Sequence, residues 1–192
     1  MSSTNRSKAR QEHISDYYIT PQSQIELFLK EFEQVNDIFT KNIKILDPCA
    51  GGDNTHEMSY PSVIKKLYGH EVDTIDIRQD SRAKNKFDYL EFTLDYEPDL
   101  IITNPPFNKA IDIINAALND VKKGGYVIML LRLNFFGSDT RFPFFKKVMP
   151  EYVFVHHKRM SFTEDGKTDS IEYCHMVFRK GYKGVTTELR VI

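Results

Sequence analysis

Apolar positions along this chain fall into two alternating rhythms. Over residues 22–39 they recur at Ile25, Leu27, Phe28, Phe32, Val35 and Phe39, close to the stripe of an amphipathic helix. Pro21 sits where a helix tolerates proline, at the first turn. Residues 59–68 predict a second helix, with Ser59 as cap, Pro61 in the first turn and Gly69 at the end. Residues 110–121 are strongly periodic and stop at Lys122-Lys123-Gly124-Gly125. Residues 141–149 predict a further helix, interrupted by Pro143. Short apolar runs lie between these segments, at 43–46, 72–77, 100–103, 126–131, 152–157 and 171–178, and each predicts a strand. Residues 87–92 are ambiguous. Strands alternating with helices predict an α/β fold, a doubly wound and mostly parallel sheet. The last two strands are joined by residues 158–170, which carry no helical pattern, so they are expected to form a C-terminal antiparallel hairpin at one end of the sheet. Residues 1–15 read as a polar, flexible tail, and residues 16–192 as a single domain, a length that buries a full core.

Composition narrows the class. The hydrophobic fraction of 41% and charged fraction of 28% are ordinary for a globular protein. No apolar run approaches the roughly 20 residues that cross a bilayer, and the polar start is not a secretory signal. Two cysteines, Cys49 and Cys174, make no disulfide framework, and a cytoplasmic location is expected. His156-His157 would point to opposite faces of a strand, so no metal site is expected. Net charge is −1, but it is unevenly spread. Residues 1–100 hold 12 basic and 18 acidic side chains, residues 101–192 hold 14 and 9. One basic side is consistent with a phosphate-bearing partner.

Ligands of a doubly wound sheet bind beyond the carboxyl ends of its strands, and the chemistry-bearing residues cluster there. The first strand runs into Asp47-Pro48-Cys49-Ala50-Gly51-Gly52, an acidic loop whose glycines allow close backbone approach. It is neither a GxGxxG fingerprint nor a phosphate loop followed by Lys, and it suits a cationic ligand. Asp76, followed by Ile77, ends the second strand, where an acid can hold a ribose diol. Asp88-Tyr89 follows, an acceptor with an apolar neighbour. After Thr103 comes Asn104-Pro105-Pro106-Phe107. The Asn oxygen and the Pro105 carbonyl each accept a hydrogen bond, two prolines stiffen the turn, and Phe107 offers a stacking face. That is a device for gripping a flat amine.

These motifs resemble those of the S-adenosylmethionine-dependent amino-methyltransferases, above all the adenine-N6 DNA methyltransferases, over most of the chain. Residues 47–52 are similar to the cofactor loop, Asp76 to the ribose-binding acid and Asp88-Tyr89 to the adenine-contacting motif. Asn104-Pro105-Pro106-Phe107 is similar to the catalytic (D/N/S)PP(Y/F) motif, and Tyr18-Ile19-Thr20-Pro21 to the N-terminal cofactor element. With that element first, the order resembles the gamma class. Residues 161–170 resemble small phage-encoded members. The resemblance implies a Rossmann-like class I methyltransferase fold. It implies S-adenosylmethionine as cofactor, S-adenosylhomocysteine as product and adenine in DNA as acceptor. Cofactor contacts would come from Tyr18, Thr20, Pro21, Asp47, Pro48, Cys49, Ala50, Gly51, Asp76, Ile77, Asp88, Tyr89 and Asn104. Catalysis would rest on Asn104, Pro105, Pro106 and Phe107. The chain departs from gamma-class restriction-type enzymes in leaving no room for a large target-recognition domain. Phe107, Arg141, Lys158, Arg159, Phe162 and Lys167 are then expected to touch the substrate. An RNA base or a protein glutamine amide is an alternative acceptor, since the tetrapeptide suits any planar amine. A non-catalytic nucleic-acid-binding subunit is a third reading.

Overall fold

A computed structural model describes residues 18–162 and 170–192. Seven strands form one sheet: β1 (Ile45–Asp47), β2 (Val72–Thr74), β3 (Leu100–Thr103), β4 (Tyr126–Arg132), β5 (Tyr152–Val155), β6 (Tyr173–Arg179) and β7 (Glu188–Val191). Their order is β2-β1-β3-β4-β6-β5-β7. The pairs β1/β2, β1/β3, β3/β4 and β5/β7 are parallel, whereas β6 runs antiparallel to both β4 and β5. The expected mostly parallel sheet with antiparallel C-terminal strands is therefore observed. Two details go beyond that expectation: β6 lies between β4 and β5, and β7 closes that edge. Of its four residues only Arg190 is even partly covered, so β7 carries none of the continuous apolar pattern that marks the inner strands.

Helices cover both faces because successive strand residues point to opposite sides. Leu100 and Ile102 pack with one helical layer, α1 (Gln22–Phe32) and α2 (Ser59–Tyr68). Ile101 packs with the other, α3 (Ala110–Asp120) and the short α4 (Phe142–Phe145). Ile25, Phe28, Leu29 and Phe32 of α1 are all fully buried, the i, i+3, i+4, i+7 stripe of a core-facing helix. The predicted continuation of this helix to Phe39 does not occur. Asn36 Oδ1 accepts from Ile38 N (2.8 Å) and its Nδ2 donates to the Tyr126 hydroxyl (2.7 Å). That local side-chain turn breaks the helix, and Ile38–Thr40 forms a separate 3-10 turn. α2 ends as predicted, on Gly69 at φ 73°. Its N-cap is Met58, not Ser59, and no side chain caps it. The ambiguous residues 87–92 contain a 3-10 turn at Tyr89–Glu91. No helix among the described residues is long and apolar enough to cross a membrane.

Candidate active site

The chain runs from β1 outward to β2 and then crosses back to β3 on β1's other side, so the sheet's switch point lies between the carboxyl ends of β1 and β3. A cavity of about 310 Å³ opens there, within the size range of small-ligand sites. Most of the cofactor and catalytic positions that the sequence singles out meet in it, though Pro21, Asp47, Pro105 and Phe107 do not line it. Tyr18, Thr20, Pro48, Cys49, Ala50, Gly51, Asp76, Ile77, Asp88, Tyr89, Asn104 and Pro106 all line it.

The wall is built by short backbone-directed contacts. Asp76 Oδ2 accepts from Gly51 N and its Oδ1 from Arg78 N, each at 2.8 Å, which ties the glycine loop to the end of β2. Gly51 and Gly52 have φ of 66° and 74°, a region that favours glycine. A Cβ on Gly52 would also lie 2.9 Å from Met58 Cγ. Asp88 accepts from Leu90 N (2.9 Å), and the Tyr89 hydroxyl donates to Asp120 on α3 (2.6 Å). This pins the third loop against its helix.

Asp47 does not line the cavity; it is buried beside Pro48 and Cys49, which do. One carboxylate oxygen accepts from Cys49 N (3.2 Å), while Oδ2 is buried without a hydrogen-bond partner. Burial, with the Asp76 charge adding to it, raises its pKa to about 7. Cys49 is held as a neutral thiol, its pKa pushed well up by burial, in keeping with a packing residue.

Asn104 occupies the boundary of the cavity. Its Nδ2 donates to Thr20 Oγ1 at 3.1 Å, and Thr20 is buried. The amide is thereby oriented with Oδ1 left as an acceptor. The Pro106 carbonyl accepts from Lys109 N (2.9 Å), whereas among the described residues no backbone N–H takes up the Pro105 carbonyl. Phe107 faces away from the cavity, into a second surface. Its ring centroid lies 6.0 Å from that of Tyr173, Tyr173 lies 4.8 Å from Phe162, and Phe162 lies 5.8 Å from Tyr18. Tyr18 and Asn104 thus join the cavity to an aromatic patch.

Other expected residues are placed elsewhere. Pro21 precedes α1 as its N-cap and does not line the cavity. Arg141 is an internal brace, donating to the Phe135 carbonyl (2.6 Å) and stacked on the Phe135 ring, so it is not available as a free surface cation. Arg159 pairs with Glu172 at 3.4 Å. Lys158 is exposed, and Lys167 lies outside the described residues. Sequence reasoning missed Tyr60, Arg78, Leu90, Lys109 and Ile113, which also line the cavity. Tyr60 and Ile113 carried a signal only for core, as apolar members of helical stripes.

No family model and no curated protein matches the chain. Solved structures do. One assigned to the class I S-adenosylmethionine-dependent methyltransferases, from Listeria monocytogenes, aligns with a TM-score of 0.60 at 17% identity, over 96% of this chain and 69% of that one. One assigned as an RNA methyltransferase, from Pyrococcus horikoshii, has a TM-score of 0.60 at 16% identity, over 86% and 88%. This is the Rossmann-like class I methyltransferase fold. The M protein of the type I restriction enzyme EcoKI also aligns, with a TM-score of 0.58 at 13% identity, over 86% of this chain but only 44% of its own. Within this class I fold, the cavity at the β1/β3 switch point and the tetrapeptide after β3 acquire a chemical reading.

Proposed function

We propose that this chain transfers the methyl group of S-adenosylmethionine to the exocyclic amine of adenine in DNA. One observation carries the reading: Asn104 and Asp76 line one cavity, and Thr20 orients the Asn104 amide with its oxygen left to accept.

The cavity suits the cofactor on its own terms. Its volume fits a nucleoside-sized molecule, its glycine loop admits close approach, and the partnerless Asp47 Oδ2 favours a cationic ligand nearby. Asp76, beside Ile77, would hold the ribose diol, and Asp88 the adenine amine, with Tyr89 and Leu90 against the ring. When bound, the cofactor supplies a methyl group already activated by its sulfonium. What remains for the chain is to prepare the nucleophile. An aromatic amine is weak because its lone pair is delocalised. Asn104 Oδ1 and the Pro105 carbonyl accept its two N–H groups and favour a more tetrahedral nitrogen, which stabilises the positive charge that develops there. The prolines hold both acceptors in place beforehand. Phe107 and Phe162 give the extruded base a stacking surface, offsetting a flipping cost of roughly a few kcal/mol. The M protein neighbour, a restriction-enzyme subunit, is compatible with a DNA acceptor.

The test is incubation with methyl-labelled cofactor and four acceptors: duplex DNA, single-stranded DNA, RNA and bulk protein. Label is expected in DNA, as N6-methyladenine after digestion. Asn104→Ala is expected to lower turnover at least about a thousandfold, since both the acceptor and its orientation are lost. Its cofactor affinity by calorimetry should stay within about threefold of the wild-type value. Label confined to RNA or protein would replace the acceptor, and absence of cofactor heat in the wild-type protein would favour a non-catalytic binding role.

A further inference from the structure

We propose that Arg132 anchors the backbone phosphate beside the target base, and that this makes an anionic nucleic acid, not a protein amide, the acceptor class of the site. The inference rests on the methyltransferase reading above and deepens it.

Arg132 is the last residue of β4, next to the strand that delivers Asn104, and in register with Tyr173 on β6. Its guanidinium carbon lies 4.6 Å from the Phe107 ring centroid. Its Nε is buried and has no hydrogen-bond partner. Among the described residues no carboxylate lies within ion-pair distance of it. Five other described arginines are occupied: Arg78 by Asp80, Arg141 by the Phe135 carbonyl, Arg159 by Glu172, Arg179 by Glu151 and Arg190 by Glu188; Arg82 is exposed to solvent, so its charge is hydrated. A partly buried guanidinium without an anion is costly. Its place here follows if the anion arrives with the substrate.

The geometry fits a nucleotide. Packing over the Phe107 ring leaves the terminal Nη donors of the guanidinium to fork two oxygens of a phosphate. Beside it lies the patch formed by Phe107, Tyr173, Phe162 and Tyr18. A cluster of partly exposed rings, Phe107, Phe162 and Tyr18 packed around the buried Tyr173, with a planar cation at its rim matches a base joined to a phosphodiester. A glutamine side chain on a polypeptide offers neither the ring nor an obligatory negative charge.

Methyl transfer to duplex DNA is to be followed between 50 and 200 mM KCl for the wild-type protein, Arg132→Met and Arg132→Lys. Methionine keeps an apolar stem on Phe107 and removes the charge. Arg132→Met is expected to raise KM for DNA at least about tenfold, the worth of one charge-assisted contact. The dependence of log KM on log salt should become shallower by about 0.9, one duplex phosphate. Arg132→Lys is expected to restore most of that slope, and cofactor Kd by calorimetry should not change in either variant. An unchanged salt slope in Arg132→Met, or a cofactor Kd that moves with KM, overturns the proposal and leaves the methyltransferase reading intact. Labelling of polypeptide alone by the wild-type protein overturns it too. Absence of cofactor heat in the wild-type protein overturns the reading beneath it.

Discussion

Asp47 shows how one side chain sets stability against binding. An isolated carboxyl titrates near 3.8, and burial moves this one to about 7. Above pH 7 the folded protein therefore carries an ionised, partly unsatisfied group, worth roughly 4 kcal/mol against folding. Between about pH 4 and 7 folding takes up a proton at this site, so its penalty shrinks as pH falls through that window. Asp47→Asn removes the charge. We expect it to raise the melting temperature at pH 8 by at least about 4 °C, and by clearly less at pH 5, measured side by side with the wild-type protein. Cofactor binding should weaken in the same variant at pH 8, because a buried negative charge behind the cavity wall at Pro48 and Cys49 is gone. Equal gains at both pH values would mean that burial leaves this carboxyl's titration unaltered.

At the level of elements, a chain of buried side chains locks the helices to the sheet. Gln24 on α1 bonds His156 Nδ1 just past β5 (2.9 Å), His156 Nε2 bonds His175 Nδ1 on β6 (2.8 Å), and His175 Nε2 bonds the Tyr60 hydroxyl on α2 (2.9 Å). Gln24 Oε1 only accepts, so both histidines carry their proton on Nδ1 and Tyr60 donates. Burial lowers the His156 pKa to about 4 and that of His175 well below its usual value. The unfolded chain gains those protons near pH 6.5, so this contribution is full above 6.5 and is lost as pH falls towards 4. Its sign is opposite to that of Asp47. Tyr60→Phe leaves the His175 Nε2 acceptor orphaned, and urea unfolding at pH 7 should show a loss of about 1–3 kcal/mol.

This network marks where sequence reasoning stops. The separation of His156 and His157 to opposite faces was legible from strand periodicity, and it holds: His156 is buried, and His157 is exposed, its Nδ1 meeting the Ile192 carbonyl (2.5 Å). The coupling of His156 to His175 was not legible, because it depends on the register of β5 against β6, with Phe154 opposite His175, and nothing local fixes that register. The strand-end acids and the Asn104 tetrapeptide were readable because backbone position alone brings strand ends together. Arg141 was expected to touch the substrate because its charge was visible in the sequence, whereas the Phe135 carbonyl it bonds was not. β7 escaped notice because its exposed alternation carries no core signal.

For the whole molecule, cofactor binding and folding draw on the same loops. The cavity wall is made of turns at three strand ends, held by the two carboxylate contacts of Asp76 and by the Asn104–Thr20 bond. A ligand that binds only the folded state stabilises it by about 2.7 kcal/mol at a hundredfold excess over Kd. For a chain of this length that corresponds to a rise in Tm of roughly 5–10 °C. S-Adenosylhomocysteine should produce such a shift in the wild-type protein and in Asn104→Ala, since the partner proposed for Asn104 is the acceptor amine. Asp76→Ala loses the proposed ribose contact and unties the Gly51 loop, so its own melting point should be lower and its ligand-induced shift close to zero. The comparison uses the shift rather than the melting temperature, which separates loss of binding from loss of stability. A shift in Asp76→Ala as large as in the wild-type protein would move the cofactor out of this cavity, and with it the role assigned to Asn104.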